Sequence, residues 1–490
     1  MQMTILGMAL LPLTLIWVAN PLRLLQLALV AAVFEAGAAL VIGGAFGLPT
    51  AMVPGLIFIL FVVAQYALGM RYSAEAAVFW ALTPLLALLG YALFSIVVLP
   101  DAFAGRIMVS PQKSDPLQPG FVPLAFTAGN ITQSLYLAMN VVVATSSALF
   151  LTRAAIPYQS IMKAYLLGGY IVVGLALWQF ASRLSGLPFP DTVLYSNPSW
   201  AIVEQALGSV PRIQGPFSEP AGLAFYLSGL CFCCLWLSAR GQRLMGVNWL
   251  LGLSILAMLL STSTTGILTL AVGLPMILAV ATAQSDKRAL GRLGKTAGIL
   301  MLGGLIVLTP AVIMKPQLVS AVTTVVDSTL NKGESDSFSD RTATDWAALD
   351  TVGATYGLGV GWGSFRSSSL IPGLLANAGI FGVVAVLWLA VRVTQLSRRR
   401  GPGAHGYPGQ LVMEGFSAAL CGQFTAALFS APTIASLGFF LQLGCVVGVS
   451  ARKSVSHQPP RPSGYLRPDE RNERADTTAA LTRARRHFTA

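Results

Sequence analysis

The chain has 490 residues, of which 55% are hydrophobic and only 10% charged, with a mean hydropathy of +0.70. Soluble domains carry about a quarter charged residues. Here the deficit extends over the whole chain, which excludes a soluble enzyme with one anchor and predicts an all-α polytopic integral membrane protein. The net charge of +12 raises nucleic acid as a partner. The basic residues, however, fall mainly in short loops between apolar runs and form no stripe interleaved with aromatics, so topology accounts for them and no nucleic acid is expected.

A hydrocarbon core of about 30 Å takes about 20 apolar residues per helix. Apolar runs at 3–18, 22–45, 52–70, 75–99, 127–151, 160–181, 218–238, 247–261, 264–284, 296–314, 372–395, 411–430 and 432–450 predict thirteen spans, within a range of 12–14. The first run has no basic leader and no small-residue cleavage site before Pro21, so it reads as a span and not as a removable signal peptide. Placing the loops ARGQR, SDKRALGRLGK and SRRRGPG and the tail on the cytoplasmic side leaves eight Lys and Arg outside: Arg106, Lys113, Arg183, Arg212, Lys315, Lys332, Arg341 and Arg366. The other 23 lie inside, which fixes the orientation with a cytoplasmic C-terminus. Residues 1–450 then form one transmembrane domain, and 451–490, rich in Pro and charge, a disordered cytoplasmic tail.

Long outer segments are expected at about 100–126, 182–217 and 315–371. In the last, Val319, Val322, Val326 and Leu330 recur at helical spacing, as in a helix lying on the bilayer surface. A polar turn, NKGESDSFSD, follows, and then a short helix capped near Asp340 with Trp346, Leu349 and Val352 on one face. The run GLGVGWG lacks a preceding strand and a Walker lysine, so its glycines mark tight turns and close backbone approach rather than a nucleotide loop.

Candidate chemistry concentrates in two of these outer segments. PRIQGPFSEPA, residues 211–221, brings Arg212, Gln214, Ser218 and Glu219 to the start of an apolar helix, and SDRTATDWAALD brings Arg341, Asp345 and Trp346. Arginine suits a diphosphate because its planar fork bonds two oxygens and stays charged. The plainer alternatives are a solvated Arg212 and an Arg341 paired with Asp345 at i+4. Glu219 can act as a general base at the bilayer rim, orient Arg212, or simply oppose the helix dipole. The STSTT run at 261–265, with Ser263, marks an outer hairpin whose hydroxyls either line a groove or close a tight turn.

His405, His457 and His487 all fall on the cytoplasmic side of this topology, which argues against an outer zinc hydrolase. Glu35 and Glu414 lie within predicted spans and raise a cation-coupled transporter, although Glu35 is alone in its run and Glu414 is near a span end. Cys231, Cys233 and Cys234 form CFCC on one helix and, with Cys421 and Cys445, read as small hydrophobes at membrane depth.

RIQGPFSEPAGLAFYL, LLSTSTTGILTL and SDRTATDWAALDTVGATYGLGVGWGSFRSSSLIPGLLANAGIFG together resemble the O-antigen polymerase and ligase superfamily of bacterial envelope proteins, with the nearest look that of exopolysaccharide polymerases. The resemblance covers roughly residues 120–450. It implies a GT-C-like, metal-independent and cofactor-free glycosyltransferase of the bacterial inner membrane, its large outer loop lying over a lateral groove. Such an enzyme transfers a glycan from undecaprenyl diphosphate to an acceptor hydroxyl with inversion, in O-antigen or exopolysaccharide synthesis. Chain-length regulators and export proteins are the implied partners, beside membrane lipids. Arg212 and Arg341 occupy the positions of the family's diphosphate-holding arginines, with Glu219 the candidate base. Gln214, Ser218, Ser263, Asp345, Trp346 and Trp362 are the candidate substrate-binding residues; the tryptophans would stack on sugars or anchor the loop at the interface. Ligases of the superfamily carry a histidine in the large loop. Residues 315–371 contain none, which favours a polymerase over a ligase. A transporter or flippase of lipid-linked oligosaccharide is the alternative of a different class.

Overall fold

The computed structural model describes the chain except residues 45, 113–119, 154–155, 199–205, 208–209, 284–286, 299–335, 399–407, 431–435 and 457–490. It is mostly helical. Two short helices, α1 (Ile5–Ile16) and α2 (Pro21–Ala31), precede α3 (Met52–Ala67), α4 (Glu75–Ala102), α5 (Ala128–Phe150) and α6 (Tyr158–Ser185). A single turn, α7 (Asp191–Leu194), leads toward α8 (Pro220–Ala239), α9 (Val247–Leu260), α10 (Thr264–Ala283) and a helix α11 over 287–298. The last four are α12 (Asp336–Ala354), α13 (Leu370–Arg398), α14 (Gln410–Ser430) and α15 (Leu437–Ser456). Among the described residues six helices, α4, α5, α6, α8, α13 and α14, are long and apolar enough to cross a membrane.

The run at 22–45 is not one span. Its helix stops at Ala31, and β2 (Ala38–Ile42) turns back through Gly43 and Gly44 into β3 (Phe46–Pro49), with β1 (Gln2–Met3) on the other edge of β2. Hydropathy cannot see this break, but the residues can: both glycines take positive φ, 62° and 72°, which a continuing helix forbids. Glu35 therefore lies beyond the last turn of α2, in the bend before the sheet, and not inside a helix.

Helix α12 also differs from expectation. It starts at Asp336, so Asp340 is an interior residue and not a cap. Its packed face carries Ala348 and Thr351, whereas Trp346 is 64% exposed. The surface helix expected near 319–330 and most of the span expected at 296–314 lie outside the described residues, and α15 runs on to Ser456.

Small residues bring the long helices together. Gly444 and Gly448 of α15 face Ala144 and Ala148 of α5, where an added Cβ would come within 2.5 and 2.3 Å of the carbonyl oxygens. Gly229 of α8 and Gly422 of α14 meet each other's helix in the same way. This is the small-residue packing by which helices associate where no hydrophobic drive exists between them. It aligns α5, α8, α14 and α15 so that their residues near 133, 219, 430 and 437 share one end of the bundle.

The opposite end is held by conventional charge pairing. Arg240, just after α8, donates from Nε and Nη2 to the two Glu414 oxygens at 2.8 and 2.9 Å, and Trp236 and Gln410 donate to the same carboxylate. Arg153 donates to Gln65, and Arg392 lies 3.9 Å from the Trp80 ring centroid.

Candidate functional site

The first component is the segment 212–219. Gln179, deep in α6, accepts the backbone N–H groups of both Gln214 and Gly215 at 2.9 Å, and its amide donates to the Tyr195 hydroxyl, which donates in turn to the Gly215 carbonyl. Gly215 takes φ 55°, a turn conformation that glycine enters without a Cβ penalty. Gln214 is buried by this scaffold and Ser218 is half-buried. Glu219 occupies the N-cap of α8 in extended conformation with Pro220 at the first helical position, but its side chain does not cap the helix.

Arg212 points at the hairpin between α9 and α10. Its Nε and Nη2 lie 3.4 and 3.5 Å from the carbonyls of Ser261 and Thr262. Thr262 adopts φ 49°, rare for a threonine, and Ser263 donates its N–H to the Ser261 hydroxyl, so the hairpin is a tight turn with Ser263 buried. The turn turns its backbone carbonyls toward the guanidinium.

Arg341 of α12 lies near enough for its charge to act on Arg212. Burial, the neighbouring Arg341 charge and, in opposition, Glu219 all act on Arg212, with a net push below its ordinary pKa. Two guanidinium groups from distant parts of the chain thus feel one another beside a carboxylate. Asp345 does not neutralise Arg341: its oxygens accept the Ser368 N–H at 2.7 Å and the Ser369 hydroxyl at 2.6 Å, which tie α12 to the start of α13. Trp346 is on the exposed side of the same helix.

The glycine-rich loop after α12 is a structural clamp. Gly357, Gly359, Gly361 and Gly363 all have positive φ, and a Cβ on Gly359 would fall 2.6 Å from the Gly379 nitrogen. Two buried asparagines fix it. Asn130 of α5 donates to the Trp362 carbonyl and the Ser364 hydroxyl, while Asn377 of α13 accepts the Phe365 N–H and donates to the carbonyls of Phe365 and Gly373. Trp362 is buried here, its indole N–H 3.4 Å from the Gln133 carbonyl. It borders a cavity of about 610 Å³ between α4, α8, α10, α13, α14 and α15, lined mainly by apolar side chains and running to Arg398 and Glu414 at the opposite end.

Reasoning from sequence set Glu35 aside as a lone acid in a helix. The structure puts it at this site. The Ala36 N–H donates to the Pro216 carbonyl at 3.1 Å, binding the bend after α2 to the Arg212–Glu219 segment. Burial, partly offset by a hydrogen bond with Ser436, and the nearby Glu219 charge push Glu35 from 4.5 up to about 7. Gly43 and Gly44 mark the turn of the hairpin that follows Glu35, while α2 itself has already ended at Ala31. Glu414, by contrast, is bound at the far end. All five cysteines are free thiols; those of the CFCC run are fully buried, with Cys233 3.8 Å from the Met162 sulfur. Among the described residues no group of His, Cys, Asp and Glu could hold a metal ion.

No protein-family model matches the chain, and no curated protein matches it.

Proposed function

We propose that the protein is a polymerase of undecaprenyl-diphosphate-linked oligosaccharide repeat units, acting by inverting glycosyl transfer at the outer face of a bacterial inner membrane. On this reading the bundle is a GT-C-like domain of about twelve spans, the expected run at 22–45 being none of them. The observation that carries the proposal is that the Arg341 charge acts on Arg212, two guanidinium groups from distant parts of the chain. Like charges repel when brought together in a partly desolvated place, and an anion between them reverses the sign of that interaction. A diphosphate accepts both forks at once.

The chemistry follows from that arrangement. Departure of the lipid diphosphate builds negative charge where the two guanidiniums are fixed, so the leaving group needs no acid of its own. The apolar cavity that begins at Trp362 and runs to the opposite end is suited to a polyprenyl chain, which would keep the diphosphate at the arginines while the sugar faces Glu219 and the Ser261–Ser263 turn. A cation-coupled carrier has less support, since Glu414 is consumed by Arg240, Trp236 and Gln410.

The test is reconstitution of the purified protein in vesicles with lipid-linked repeat units, with products separated by size. Polymer is expected from the unmodified protein, whereas Arg212→Ala and Arg341→Ala should leave the repeat units unjoined at undiminished protein level. Full-length polymer from both variants would sink the proposal, and movement of the lipid across the vesicle without any covalent product would convert it to a transporter.

A further inference from the structure

The geometry points to Glu35 as the group that takes the acceptor hydroxyl's proton, from a small, mainly apolar cavity with a few polar groups that receives one edge of the acceptor sugar; this rests on the polymerase reading above. The cavity, about 60 Å³, is bordered by Phe34, Glu35, Thr50, Gln133, Tyr136 and Asn140. A single water needs about 10–15 Å³, so there is room for the hydroxyl-bearing edge of one sugar ring. Ala32, Pro49, Ala51, Met52, Met139 and Leu437 make up the rest of the lining, so the polar groups that a sugar hydroxyl would meet are the Glu35 carboxyl and the Gln133 and Asn140 amides, beside the Phe34 and Tyr136 rings.

Three observations separate Glu35 from Glu219. Glu219 faces Arg212, so its charge is already met by the cation that the donor diphosphate requires. Among the described residues no such cation acts on Glu35; the groups acting on it are the Ser436 hydroxyl and the Glu219 carboxylate. Among the described residues lining the cavity, α5 offers the amides of Gln133 and Asn140 and the Tyr136 phenol, whose hydroxyl donates to the Gly47 carbonyl at 3.0 Å, while Thr50, before α3, donates its hydroxyl to the Ala31 carbonyl at 2.7 Å. A carboxylate without a countercharge is the better proton acceptor, and a base that titrates near neutrality is the most effective one at physiological pH. Next to Glu35, the Ala36 N–H donates to the Pro216 carbonyl of the Arg212–Glu219 segment, and the Glu219 charge acts on Glu35.

The step balances without a further reactant. The acceptor O–H bond breaks and its proton goes to a Glu35 oxygen. The acceptor oxygen forms a bond to the anomeric carbon from the face opposite the leaving group. The anomeric carbon–oxygen bond to phosphate breaks, and its electron pair leaves with the diphosphate held by Arg212 and Arg341. Glu35 returns the proton to water, since the diphosphate leaves as an anion.

The experiment uses the full chain in the same vesicles, measuring initial rates against pH from 5 to 9 for the unmodified protein, Glu35→Gln, Glu35→Asp and Glu219→Gln. Glu35→Gln keeps the shape and a hydrogen-bonding group toward Ser436. It should lower kcat by about 10²–10⁴-fold with donor KM within about twofold. The unmodified protein should show a rate that rises with pH on a limb centred near 7, and Glu35→Asp should retain that limb while Glu35→Gln loses it. A merely structural role would reduce the amount of active protein but leave the limb in place, and would overturn the inference. So would Glu35→Gln at full rate while Arg212→Ala is inactive, an outcome that leaves the polymerase reading standing. Absence of product from the unmodified protein would remove both.

Discussion

The two ends of the bundle use arginine in opposite ways. At one end Arg240 grips Glu414 through two bonds, and a tryptophan and a glutamine complete the carboxylate's shell. At the other, Arg212 and Arg341 are drawn toward each other, and Asp345, the carboxylate best placed by sequence to quiet Arg341, is turned away to the Ser368 and Ser369 groups. The first arrangement is complete by itself and holds helices together. The second sets two like charges near the Glu219 carboxylate, where a ligand anion would offset their repulsion.

The sharpest way to break this contrast is substitution at the arginines themselves. Arg212→Ala and Arg341→Ala should each lower the polymerisation rate by about 10²–10³-fold, the usual loss when one fixed charge on a developing anion is removed. Lysine at either position, which keeps the charge but loses the fork, should recover only part of this. Thermal stability of the alanine variants in detergent should be unchanged or raised, because like charges are being separated; a marked fall would mean that the pair is structural after all.

The opposite end should respond in reverse. Arg240→Leu strands a partly buried Glu414 and should cost about 1–3 kcal/mol of stability with the rate per folded molecule unchanged. Arg240→Leu combined with Glu414→Leu should recover most of that loss, since replacing both partners by apolar groups is far cheaper than stranding one. A large loss of rate in the stable double variant would show that the two ends are coupled.

Glu35 supplies a milder test, read from stability alone. Its carboxyl is raised from 4.5 to about 7 on folding, so between these pH values the folded protein holds a proton that the unfolded chain has released. Stability contributed by this group is therefore greatest at acid pH and is lost as pH rises through about 7. The melting temperature in detergent should fall from pH 5 to pH 8, and Glu35→Gln should flatten that dependence. The smallest effect belongs to Trp346→Ala. With 64% of its surface exposed, the side chain should change stability by less than about 0.5 kcal/mol. A several-fold rise in KM for the lipid-linked substrate would distinguish a sugar platform from an idle surface residue.

Much of the helical skeleton was legible because long apolar runs leave hydropathy little to misjudge: α4, α5, α6, α8, α13 and α14 fall where the runs are. The first hundred residues were harder. Ala38–Pro49 is as apolar as a span, and only the paired glycines betray that it folds back as a hairpin. That misreading carried a second one with it, because a Glu35 placed in the middle of a helix has no reason to meet Glu219. The outer face of α12 was also misassigned. Trp346, Leu349 and Val352 share a face by spacing, with Trp346 exposed, while the buried ones among the described residues of the helix are the small Ala348 and Thr351. The roles of Asn130 and Asn377 were invisible for a different reason: a buried amide is placed by the loop it holds, and nothing local in the sequence marks which loop that is.

The hydrogen bond between Glu35 and Ser436 joins the bend after the second helix to the residue before the last one described. A nascent chain emerging into the membrane would have its arginines in place well before that contact could close. Catalytic competence would then be conferred late, and an incompletely synthesised molecule could seize a lipid carrier without being able to spend its sugar.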